Sequence, residues 1–173
     1  MSKEVSSWVV QLAALTVVSV LSIASVAPAA EDGKVYPGIM CQRSLGSAED
    51  IEYGDLGVYN KSLTASLVVL CPVVRDVVSG VLGANSAEVR VRQGGSTTII
   101  CTLASRGPHG DPPVTQNGQQ EPPDAFPGLK TIKFGQIAAV SAGYYYFICI
   151  LPPAERDREK SGVISYRLDE NDV

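Results

Sequence analysis

From Ala87 to Gln93 the chain reads Ala-Glu-Val-Arg-Val-Arg-Gln, with small or apolar residues at every second place and charges between them. Successive side chains of a strand point to opposite faces, so this run predicts a half-buried strand with Val89 and Val91 inward and Glu88, Arg90 and Arg92 in water. Leu67, Val69 and Cys71 alternate with Ser66, Val68 and Leu70, a strand with two apolar faces. Ile164, Tyr166 and Leu168 alternate with Ser165, Arg167 and Asp169. Tyr144 to Leu151 is β-rich on both faces and suits a central strand, with Gln136 to Val140 before it and Ser141-Ala142-Gly143 as the turn. Gly94-Gly95-Ser96 is a turn signal, and it predicts a hairpin between Ala87–Gln93 and Thr97–Leu103.

Helical signals are poor beyond the amino-terminal segment. Val73 to Leu82 comes nearest to helical spacing, between Pro72 and Gly83, but its valines suit an extended connection equally well. Short strands parted by Gly, Pro and Asn turns predict an all-β domain, a β-sandwich of jelly-roll or Ig-like type.

The four cysteines, Cys41, Cys71, Cys101 and Cys149, are an even set spread far apart, without the close C-x2-C pairs and histidines that zinc requires. Two disulfides are the expected use. Cys101 and Cys149 each sit mid-strand on a face shared with large apolar residues. Both therefore point into the core, which favours Cys101 with Cys149 and Cys41 with Cys71. Bridges over loops of this size contribute about 3–4 kcal/mol each in the chain-entropy account.

Such bridges persist in an oxidising compartment, and the amino terminus agrees. Trp8 to Val26 carries no charge and is rich in Val, Leu and Ile; Ala27-Pro28-Ala29 and the charged Glu31-Asp32 follow. That order predicts a signal peptide over 1–29, cleaved to leave a single domain over 30–173. The competing reading is a retained anchor, but Ser and Thr dilute the stretch and its flank is hardly basic. Expected location is secreted or periplasmic, with no stable membrane insertion and a partner in the cell envelope or outside the cell.

Composition narrows the partners. At 45% hydrophobic and 18% charged the chain can bury a core. Fourteen basic against eighteen acidic residues, a net charge of -4, argue against a general nucleic-acid binder. The stretch 107–128 holds six prolines, among them Pro112, Pro113, Pro122 and Pro123, and is expected to be a loop outside the sheets.

No nucleophile elbow, HExxH, P-loop or dinucleotide-binding motif is present, so no catalytic residue, cofactor or metal is assigned. His109 is the lone histidine and the one imidazole available to a secreted hydrolase; a solvated loop position is the better reading. The acidic groups Glu49, Asp50, Glu52, Asp55 and Asp169, Glu170, Asp172 lack a calcium-loop register and read as solvated surface. Paired carboxylates for glycoside hydrolysis have no residue in their favour.

The weak binding candidates are aromatic. If Tyr145 and Phe147 face the core, Tyr144 and Tyr146 show on the opposite face, where exposed rings stack sugars or partner chains. Packed or covered rings are the alternative, since Ile148 and Ile150 share that face.

Several phrases occur together: Tyr36-Pro37-Gly38 before Cys41; Asn60-Lys61-Ser62; Cys71-Pro72-Val73-Val74-Arg75-Asp76; Val89-Arg90-Val91; Cys101-Thr102-Leu103; Gly143-Tyr144-Tyr145-Tyr146-Phe147-Ile148-Cys149, then Leu151-Pro152-Pro153; and Ile164-Ser165-Tyr166. From Tyr36 to Glu170 the chain resembles a loose family of exported four-cysteine β-sandwich proteins from Gram-negative bacteria. The resemblance implies an exported all-β domain and brings no activity. The proline-rich loop looks like an elaboration on it. Asn60-Lys61-Ser62 would stay unmodified in a bacterium and be an acceptor for N-linked glycan in a eukaryotic secretory pathway. The function expected from all this is a non-catalytic structural or binding module, with a secreted hydrolase or a lectin-like module as alternatives.

Overall fold

The computed structural model describes residues 33–75, 83–109, 112–117, 119–120, 128–140, 142–155 and 160–170; the expected signal peptide over 1–29 lies outside them. Two antiparallel sheets face each other. The seven-stranded sheet runs β3 (Ile51–Gly54), β4 (Gly57–Asn60), β12 (Ser161–Glu170), β6 (Ala84–Gln93), β10 (Gly128–Phe134) and β9 (Gln119–Gln120), with β1 (Gly33–Pro37) also paired to β12. The five-stranded sheet runs β2 (Gln42–Leu45), β5 (Leu67–Val73), β11 (Tyr144–Leu151), β7 (Ile100–Arg106) and β8 (Val114–Asn117). This is a β-sandwich. Among the described residues no helix is long and apolar enough to cross a membrane.

Alternation puts one face of each strand inside. Val89, Val91, Ile132, Val163, Tyr166 and Leu168 come from one sheet, and Leu67, Val69, Leu103, Tyr145, Phe147 and Leu151 from the other. Phe147 joins the halves, meeting Phe134 edge-on at 5.3 Å and Tyr166 at 5.6 Å. The phenols satisfy their polar tips across the sandwich: Tyr166 donates to the Pro72 carbonyl at 2.8 Å and Tyr36 to the Val74 carbonyl at 3.0 Å.

Both disulfides belong to the five-stranded side. Cys101 on β7 and Cys149 on β11 stand directly opposite in register and are joined. Cys41, just after the 3-10 turn Gly38–Met40, is joined to Cys71 on β5. All four are buried.

Four expectations change. β6 and β7 do not form a hairpin, because β6 lies in one sheet and β7 in the other. Each has a single strongly apolar face, and the two faces bury each other best when the link from Gly94 to Ile99 crosses between sheets. That link is pinned by Gly94 N donating to Ser161 Oγ and by Ser96 donating to Glu155 Oε1 at 2.6 and 2.7 Å. The proline-rich stretch does contribute to the sheets: β8 and β9 fall between Pro113 and Pro122, and both are edge strands, where neighbouring prolines cost no ladder bonds. Gln136 to Val140 holds only a bridge from Ile137 to Ala84, and the strand before the turn is β10. Val73–Leu82 begins as β5, and residues 76–82 lie outside the described set. In β12 a bulge between Val163 and Ser165 hands the inward place from Ile164 to Val163.

Two buried polar clamps complete the frame. Asn60 Nδ2 donates to the carbonyls of Ala65, Leu151 and Pro152 at 2.8–3.1 Å, and its Oδ1 accepts from Ser62 N. A side chain this enclosed cannot carry a glycan in the folded domain, so the sequon is a structural turn. At the other end Arg75 lies over the Tyr145 ring, donates to the Val140 and Gly143 carbonyls, and pairs with Glu170 at 3.4 Å.

Candidate functional site

The two rings proposed from β11 part company. Tyr144 is 46% exposed, whereas Tyr146 is 7% exposed, set between Pro72 and Ala104 in register and touching Tyr144 at 5.7 Å between centroids. A two-ring platform is therefore absent; β11 presents one ring. The rest of that outer face is apolar. Ile100 and Ile150 stand opposite each other at 53% and 42% exposure, with Val68 and Leu70 half-buried alongside.

The remaining sequence candidates scatter. His109 is exposed in a turn and makes no hydrogen bond or ion pair among the described residues, so the imidazole hydrolase has no nucleophile–base pair there. Asp169 accepts from Ser86 Oγ at 2.7 Å and pairs with Arg167 at 2.9 Å; Glu170 is held by Arg75. Glu49 and Asp55 are exposed, and Asp50 is half-buried. No three His, Cys, Asp or Glu among the described residues gather in metal-binding geometry. Asp172 lies outside them.

Concave, polar surface is found instead on the outer face of the seven-stranded sheet. The registers lay its side chains in rows across the strands. The first row is Glu52 on β3, Tyr59 on β4, Gly162 on β12, Arg92 on β6 and Leu129 on β10. The second sets Ser165, Arg90 and Thr131 side by side, and the third Arg167, Glu88 and Lys133.

A hollow of ≈ 490 Å³ opens at the first row, lined by Glu52, Asp55, Leu56, Tyr59, Arg92 and Lys160. Its floor depends on glycine. A Cβ at Gly162 would strike the Tyr59 ring, so the ring lies across the sheet there because that side chain is missing, and one at Gly54 would crowd it at 3.3 Å. Lys160 Nζ donates to Glu52 Oε2 at 2.7 Å, fixing the rim. Burial pushes the Tyr59 phenol above its ordinary value; Arg92 works against the shift, while Glu52 and Asp55 add to it. The phenol is thus held as a donor beside a guanidinium, an ammonium and two carboxylates. A smaller hollow of ≈ 280 Å³ lies farther along, lined by Ser86, Glu88, Lys133, Arg167 and Asp169 among others.

Arg90 and Arg92 are legible from the alternation as the wet face of a strand, and Glu52 only as a surface acid. Tyr59 and Lys160 carry no local signal, because what brings them to Arg92 is a register between strands far apart in the chain. Glycines inside strand-like segments were the available signal.

No family model matches the sequence, and no curated protein matches it. Solved structures with a similar course of chain include the CBM36-1 domain of a multidomain xylanase from the hindgut metagenome of Trinervitermes trinervoides. It has a TM-score of 0.40 and 8% identity, over 82% of this chain and 100% of that one. The family 11 carbohydrate-binding module of the cellulosomal cellulase Lic26A-Cel5E of Clostridium thermocellum gives 0.32 and 12%, over 79% of this chain and 84% of that one.

Proposed function

We propose that this chain is an exported, non-catalytic binding module that takes its ligand on the outer face of the seven-stranded sheet. The observation that carries the reading is the hollow beside Tyr59. An aromatic ring, a guanidinium, an ammonium and two carboxylates converge there on glycine-floored space, the arrangement by which small polar groups fix a ligand's orientation. The two disulfides and the amino-terminal segment support the exported half of the reading. A sugar polymer suits the mixture of donors, acceptors and apolar Leu56.

Titrating the isotope-labelled, oxidised protein with xylo-, gluco- and galacturono-oligosaccharides tests this by amide chemical shift. At least one series is expected to perturb Tyr59, Arg92 and Gly162 together. Perturbation centred on Tyr144 and Ile150, or none with any series, overturns it.

A further inference from the structure

Resting on that reading, we infer that the ligand is an acidic polysaccharide whose carboxylates are read by Arg90 and Arg92. On β6 the outward residues are Ser86, Glu88, Arg90 and Arg92, and their cross-strand neighbours differ sharply. Glu88 has Arg167 on one side and Lys133 on the other, so its charge is matched within the sheet. Arg90 has Ser165 and Thr131; Arg92 has Gly162 and Leu129. No acid stands across from either arginine. Neither makes an ion pair or hydrogen bond among the described residues, and both are exposed.

Arginines at alternate positions of one strand leave the same face from Cα atoms about 7 Å apart, and their like charges repel. An incoming anion relieves that repulsion. The planar guanidinium fork matches a carboxylate through two parallel hydrogen bonds, a match an ammonium cannot make. The surroundings fit a sugar chain carrying such groups: Ser165, Thr131 and Tyr59 supply hydroxyls, and exposed Leu129 supplies an apolar patch beside Arg92. The Tyr59 ring lies over Gly162 beside Arg92 and lines the hollow with it, so a chain crossing the arginines meets that ring at the hollow's edge.

Affinity electrophoresis of the full oxidised chain tests the assignment, with four polymers in the gel: polygalacturonate, its methyl ester, amylose and polyglutamate. The account expects retardation by polygalacturonate, weakened about tenfold or more in R90Q/R92Q and by raised salt, with little retardation by the ester. Both arginines are exposed, so the variant's melting temperature should match the parent's and serves as the folding control. Equal retardation by the methyl ester or amylose, unchanged in R90Q/R92Q, overturns the carboxylate assignment and leaves the binding module standing. Retardation by polyglutamate as strong as by polygalacturonate overturns the sugar assignment. Failure of all four polymers overturns the inference, and failure of the oligosaccharide titration as well overturns the module reading with it.

Discussion

The two outer faces of this sandwich are built on opposite plans. The five-stranded sheet shows water an apolar surface around Tyr144, Ile100 and Ile150, and both disulfides lie on its side. The seven-stranded sheet shows rows of charge, with a glycine-floored hollow at one end and no cysteine in any strand. The inner faces share one core, so stability alone does not demand this division. Apolar contact is non-directional, whereas a guanidinium or a phenol donor accepts only certain geometries. On the proposed reading selectivity belongs to the seven-stranded face, while the covalent bracing lies on the other.

Reduction should show the largest contrast. Losing both bridges is expected to cost about 3 kcal/mol apiece, and amide exchange should then loosen β7 and β11 before β6 and β12. Exchange measured with and without reductant checks this; earlier loosening of β6 and β12 would break the comparison.

Next in size is the clasp that ties the two sheets at one end. Arg75→Met removes the guanidinium 3.4 Å from the largely buried Glu170 carboxylate, at an expected cost of about 3 kcal/mol, and Arg75→Met with Glu170→Gln should regain part of it. Urea denaturation of the three proteins measures both. A full-sized loss in the double variant would show that the carboxylate was not the source.

Alkaline pH tests the phenols between the sheets. Burial first, then Tyr36, holds the Tyr166 phenol far above the ordinary tyrosine value, and burial also raises Tyr145. A group raised in the folded state contributes stability that is fully present below the unfolded value and is lost as pH climbs toward the folded one. Stability should hold up to about pH 10 and fall beyond it, less steeply in Tyr166→Phe. A fall that begins well below pH 10, or one identical in the variant, would assign alkaline loss to other groups.

The smallest effects should come from the outer faces themselves. Ile100→Thr, Ile150→Thr and Arg90→Gln are each expected to change stability by no more than about 0.5 kcal/mol, read as melting temperature. A large loss in either isoleucine variant would mean that this face is packed rather than open.

Local pattern carried much of this fold. The alternation from Ala87 to Val91 already separated valines from charges, and the two-faced strands at Leu67 and Tyr144 are interior strands of their sheet. What escaped was everything set by register or crossing. Gly94-Gly95-Ser96 looks locally like a hairpin turn, and only the partner faces decide that the chain changes sheets there. Lys130 interrupts the inward row of β10 and hides that strand, while the structural role of Asn60 inside its sequon is hidden because the three carbonyls it meets are invisible as a pattern in the local sequence. The candidate site was legible only as single letters. Tyr59, Gly162 and Arg92 come from three strands and become neighbours through two ladders.

The most direct measurement pits one face against the other in a single assay. Polygalacturonate retardation should be lost in Arg90→Gln/Arg92→Gln and kept in Tyr144→Ser/Ile150→Thr, with both proteins melting like the parent. The reverse pattern, with the arginine variant still bound and the Tyr144/Ile150 variant released, would contradict the account and move the binding surface to the five-stranded sheet.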